Sequence, residues 1–181
     1  DENFKILSNI INSMRPFDGK REDVLCFTGR VDSLIPLLET VNDGLKEILL
    51  GSIQEKIIDR ARNSLLRYGT LQTWLEIKEV LIREHGEKEA VETLIDKLRI
   101  TKCVDTIEMF YTRVMTLLTR ISNKQLLNHT STPEMVESNN RIALLTFKNN
   151  LPEPVRTIVI ARNPLNLVDA YSIVQETNTT K

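Results

Sequence analysis

Apolar residues recur at helical spacing through almost the whole chain, and no stretch of any length alternates strictly between apolar and polar. Residues 4–14 put Phe4, Leu7, Ile10 or Ile11, and Met14 on one stripe, and the Pro-Phe-Asp-Gly sequence after them marks a turn. A helix over about 21–30 buries Val24, Phe27 and Val31. The stripe continues from Ser33 to Thr40, where Pro36 marks a new first turn or a kink. Asn42 and Asp43 are placed to cap a short helix ending near Leu50. Ser52 and Glu55 have capping-box spacing and predict a fresh helix presenting Ile53, Ile57, Ala61 and Leu65. Residues 71–85 carry Trp74, Ile77 or Lys78, Leu81 and Ile82, and Gly86 reads as their stop.

The second half keeps the same period. Residues 87–99 are amphipathic through Ala90, Val91, Leu94, Ile95 and Leu98. Residues 101–113 enter in a β-branched, extended form and meet Asp105, which is suited to cap a helix and has Glu108 three positions on. Ile107, Phe110 with Tyr111, Val114, Leu117 or Leu118, and Ile121 then form a helical stripe to about Ser122, and Arg113 lies two turns beyond Asp105. Residues 123–132 read as a polar loop, and Thr132-Pro133 opens a helix to about 149 with the proline in its first turn. After the break at Leu151-Pro-Glu-Pro154 come a short helix over 155–161, a cap at Asn163 to Asn166, a last helix over 167–177 and a frayed tail from Asn178 to Lys181. The pattern predicts an all-α protein of about nine helices, with a boundary near Gly86.

Composition narrows what such a protein does. With 24 basic and 25 acidic residues the formal net charge is −1, and neither side of Gly86 departs from balance, at 12 basic against 14 acidic and then 12 against 11. A nucleic-acid-binding domain normally carries a clear basic excess. Lys20-Arg21 and Arg60, Arg62 and Arg67 form small basic groups without aromatic partners, which favours a solvated face over an RNA contact. Cys26 and Cys103 have no Cys-x-x-Cys spacing, so they read as reduced thiols and not as a zinc site. His85 and His129 have no ligand spacing, no serine lies in a Gly-x-Ser-x-Gly context, and no glycine cluster could cradle a phosphate. Glu84, Glu87, Glu89 and Glu92 read as a solvated acidic surface, and Trp74 as a core residue. No apolar run is long enough to span a membrane and the first residues lack a signal-peptide profile, so a cytoplasmic protein without catalytic residues, cofactor, metal or small-molecule substrate is expected.

The order of motifs is specific. Phe17-Asp-Gly19 leads into a helix with Phe27, Thr73-Trp74 precedes Ile77-Lys78 and Leu81, and the 101–113 motif is followed by Phe147-Lys-Asn-Asn-Leu-Pro-Glu-Pro-Val-Arg-Thr-Ile158. Over nearly its whole length the chain resembles the Gag capsid region of gypsy-type LTR retrotransposons and insect errantiviruses. Domesticated Arc-like proteins and, more distantly, retroviral capsids belong to the same family. Residues 101–113 resemble its major homology region, Gln-Gly-x-x-Glu-x4-aromatic-x-x-Arg. Asp105 stands for the Glu, Phe110 for the aromatic and Arg113 for the Arg, whereas Thr101 and Lys102 depart from the Gln and Gly.

The resemblance implies a two-lobed retroviral-capsid-like fold. A lobe over 1–86 would form rings of five and six copies, and a lobe over 87–181 would join rings through dimers. It implies a buried hydrogen-bond network of Thr101, Asp105, Phe110 and Arg113, in which loss of either charge strands the other. The positions of a lentiviral Trp-Met dimer dyad hold Arg141 and Ile142 here, next to Glu134, Glu137 and Ser138. The implied function is a structural protein that self-assembles into a shell around retroelement RNA, with the RNA taken up by basic segments outside these residues. The alternative is a domesticated Gag-derived host protein acting as an interaction or RNA-transport module.

Overall fold

The computed structural model describes residues 1–179. The protein is all-helical. The described residues form ten α-helices and one 3-10 turn, and their extended pairing is an isolated parallel bridge between Phe17 and Ile57. No helix among them is long and apolar enough to cross a membrane. The chain divides into two compact units, Asp1–Gly86 and Glu87–Lys181, each with its own apolar core.

The first unit holds α1 (Glu2–Ser13), the 3-10 turn Arg21–Asp23, α2 (Val24–Leu38), α3 (Asp43–Glu55), α4 (Asp59–Leu66) and α5 (Trp74–His85). The helix that starts at Val24 runs on to Leu38, so Pro36 lies inside it and starts no new helix. It sits two residues from the end, where its missing N–H removes one bond from a turn that is finishing anyway. The expected break at Ser52 is also absent. α3 runs from its cap at Asn42, whose side chain accepts from Leu45 N at 3.0 Å, through Gly51 to Glu55. Ser52 lies inside it and donates its hydroxyl back to Ile48 O at 3.1 Å, the alternative use of a helical serine that competes with capping. The chain breaks instead at residues 56–58, where Phe17 N donates to Lys56 O and Ile58 N donates to Phe17 O.

This bridge brings the turn after α1 into the core. Phe17 stacks on Phe27 with centroids 5.4 Å apart and meets the His85 ring edge-on at 5.8 Å. Gly19 follows at φ +106°, and a Cβ there would stand 3.2 Å from the His85 ring and 3.3 Å from Ala61 N, so only glycine fits. Trp74 is buried and meets Phe27 edge-on, while its indole N–H donates to Asp32 Oδ1 at 2.8 Å. Lys78 holds the other Asp32 oxygen at 2.6 Å, which ties α5 to α2 by both a polar and an apolar contact. Gly86 ends α5 in an extended conformation (φ −73°, ψ 173°) and not in the left-handed form expected of a helix-stopping glycine.

The second unit holds α6 (Val91–Ile100), α7 (Ile107–Leu127), α8 (Pro133–Asn149), α9 (Val155–Ala161) and α10 (Leu167–Thr179). α7 packs on α6 and α8, and α8 also packs on α9 and α10. The core is Leu94 and Leu98 of α6, Phe110, Val114 and Ile121 of α7, Ala143 and Phe147 of α8, and apolar residues of α9 and α10. α7 runs five residues past its expected end because residues 123–127 are not a loop. Gln125 is buried and accepts from Asn139 Nδ2 at 2.7 Å, so a polar pair continues the helix contact that the apolar stripe begins. Asn166 caps α10 by accepting from Asp169 N. The predicted tail lies partly outside the described residues, and Asn178 and Thr179 still belong to α10.

Candidate functional site

The loop between α6 and α7 is closed by one arginine. Arg113, in the second turn of α7, donates from both terminal nitrogens to the two Asp105 oxygens, at 2.9 and 3.0 Å. The same side chain donates to Lys102 O at 3.1 Å. The guanidinium thus clasps residues 102–105 against the helix that follows them. Asp105 does not cap α7. Thr106 does, accepting from Met109 N at 3.1 Å, and this leaves both Asp105 oxygens for the arginine. Thr101 stays out of the clasp and donates its hydroxyl to Lys97 O at 2.7 Å, so a backbone carbonyl completes the network. Phe110 is fully buried beneath, stacked on Phe147 with centroids 5.3 Å apart. Tyr111 stacks on Tyr171 at 4.0 Å.

The clasp is not buried as the resemblance implies. Arg113 and Asp105 side chains are 35% and 34% exposed, so water shares their charges. The hydrogen bond from Arg113 still holds the Asp105 carboxyl below the usual aspartate range and raises Arg113 in turn. Burial, and then the Asp105 charge, push the Cys103 thiol up. At neutral pH the pair is a fixed anion and a fixed cation joined to each other, an arrangement suited to pinning a loop. Beside it lies a depression of about 270 Å³ lined by Thr106, Ile107, Glu108, Tyr171, Val174, Gln175 and Asn178.

The residues matched to the dimer contact lie on α8, on two of its faces. Glu134, Glu137 and Arg141 point away from the core, with Arg141 and Glu137 paired at 3.7 Å. Ser138 and Ile142 lie on a flanking stripe with Met135 and Leu145 by helical spacing. Ile142 is half-buried against the core, and Met135 and Leu145 are 37% and 43% exposed. The outward face is acidic in its first half and basic in its second, where Lys148 follows Arg141.

Several polar contacts had no sequence signal. Glu87, expected on a solvated acidic surface, is buried and held bidentately by Arg120 at 2.8 and 3.0 Å. Nothing in the spacing of residues 33 apart announces that pair. Arg120 also reaches Glu89 at 3.2 Å, and its pKa is raised, chiefly by the bond to Glu87. In the first unit, His85 Nε2 lies 2.8 Å from Ser64 Oγ. The Ser64 hydroxyl is buried and donates to Arg60 O within its own helix, so it is not presented as a nucleophile. Arg62 donates to the carbonyls of Ile57 and Gln54, and Arg67 pairs with Glu84 at 3.2 Å. These arginines are engaged by protein acceptors. No group of three or more His, Cys, Asp or Glu among the described residues could hold a metal ion. No protein-family model, curated protein or solved structure matches this chain.

Proposed function

We propose that the chain is a structural subunit of Gag capsid type, which self-assembles in the cytoplasm into a shell around retroelement RNA and catalyses nothing. The observation that carries this reading is the clasp. An aspartate, a core aromatic and an arginine at the spacing of the major homology region form a pinned loop over Phe110, inside an all-helical unit. The units supply surfaces for association. α1 and α3 pack on one another and leave Ile6, Ile10 and Ile48 exposed, which suits ring contacts through the first unit. Balanced charge avoids the repulsion that like-charged subunits would meet in a lattice.

For the contact between rings, α8 pairs with α8 of a second copy about a two-fold axis. An antiparallel pairing sets the acidic half, Glu134 and Glu137, against the basic half, Arg141 and Lys148. The apolar flank of Met135, Ile142 and Leu145 supplies the buried area. Such a contact is small and weak alone, and it holds because each subunit makes several in a closed shell. The test is electron microscopy of particles formed by the full chain and by Met135→Asp/Leu145→Asp. Both positions are exposed, so the variant folds. Particles from wild type with none from the variant are expected, and equal yields from both would overturn the α8 contact.

A further inference from the structure

The loop before α8 and the first turns of that helix stand clear of the core. Every residue from Asn128 to Ser138 is exposed, and the first buried residue of α8 is Asn139. Thr132 lies in the middle of this stretch with an extended backbone, at φ −130° and ψ 160°, and its hydroxyl accepts from Met135 N at 3.1 Å. Pro133 follows it, and a proline keeps the residue before it out of the helical region. The chain has six prolines, and Pro133 alone follows a serine or threonine. The others follow Arg15, Ile35, Leu151, Glu153 and Asn163.

An exposed hydroxyl on extended chain, with proline next, is the substrate of a protein kinase directed to Ser/Thr-Pro. Such a kinase binds its substrate as an extended strand, and a proline after the acceptor brings no N–H for the site to satisfy. The backbone bonds that tie this loop to α7 come from Asn128, His129 and Thr130 and stop before Thr132. On the other side, the first turn of α8 opens without unpacking the core, since nothing before Asn139 is buried.

We propose that Thr132 is a phosphorylation site for a kinase of this class, and that its phosphate then caps α8. Thr132 Oγ1 attacks the γ-phosphorus of a nucleoside triphosphate, and the new O–P bond forms as the bond to the bridging oxygen breaks. The nucleoside diphosphate leaves, and the hydroxyl proton passes to the base of the kinase. Oγ1 becomes an ester oxygen, and the phosphate oxygens take over as acceptors. Glu134 N and Met135 N, first-turn donors that meet no helical carbonyl, face the new dianion. The Glu134 carboxylate opposes it, but that side chain is exposed and turns to water, so the attraction of the helix terminus prevails. The site lies wholly within the second unit, and it stands whether or not the protein assembles.

The test is incubation of the folded full chain with magnesium, ATP and a Ser/Thr-Pro-directed kinase, followed by intact mass measurement and peptide mapping. A single phosphoryl group on Thr132 is expected, and none on Thr132→Ala. Pro133→Ala keeps the helix, because alanine is a good helix former. It should slow the transfer at least roughly tenfold, which is the effect of one unpaired N–H in the kinase site. In the phosphorylated chain the amides of Glu134 and Met135 should exchange roughly two- to fivefold slower. Transfer to a peptide of residues 126–140 but not to the folded chain would overturn the site. So would transfer to Ser131 in place of Thr132, or an equal rate with Pro133→Ala. Unchanged or faster exchange at Glu134 and Met135 would overturn the cap.

Discussion

Arg113 reaches back two helical turns to a carboxylate and a carbonyl, so its removal loosens the 102–105 loop and leaves the core in place. Because both side chains are a third exposed, Arg113→Ala should lower the melting temperature of the second unit by only a few degrees. Phe110→Ala opens a cavity against Phe147 and should cost about 3–5 kcal/mol. Arg113→Lys should restore little, since an ammonium cannot meet two oxygens and a carbonyl in one plane. The folded state holds the Asp105 carboxyl below its usual range, so folding disfavours its protonation. That stabilisation is complete above the unfolded value of about 3.9 and is lost as pH falls through the lower folded value. Thermal melts of Asp105→Asn between about pH 5 and pH 2 should show a flatter acid dependence than wild type, with the rest of the slope from Glu89 and Glu153, also held low. The eight-residue spacing made Asp105 and Arg113 legible as partners. What spacing could not say is that Thr106 takes the cap and so frees the aspartate.

At the scale of elements, periodicity located nearly every helix, because each buries one stripe and turns the rest to water. The errors came where a local residue had two uses. Ser52 was read as a cap and lies inside α3 bonded to Ile48 O, and Pro36 was read as a new first turn or a kink and lies within the last turn of α2. Asn42→Ala should therefore cost about 1 kcal/mol by chemical denaturation. Ser52→Ala should change stability by less than about half a kcal/mol, as surface substitutions away from caps do. Equal costs would mean that a cap lies at Ser52 after all. The extension of α7 could not be read because buried Gln125 and Asn139 satisfy each other, and polar residues carry no apolar period. Glu87 was unreadable for the same reason, since its partner is distant in sequence and its burial is set by packing.

For the whole molecule, sequence pattern gave an all-helical chain, and the contacts divide it at Gly86 into two units with separate cores. The proposed function rests on surfaces, and those are the least legible part of a sequence. On α8 the outward charges and the apolar flank separate only once the buried face is known, and Ile142 then falls half within the core. Under the proposed function this subunit works by associating with copies of itself. Sedimentation velocity of the purified full chain, over a range of concentration and of salt, measures that directly. The prediction is a monomer boundary at low concentration that gives way to small oligomers and then to a fast, uniform species of closed particles. A single monomer boundary under every condition would contradict it.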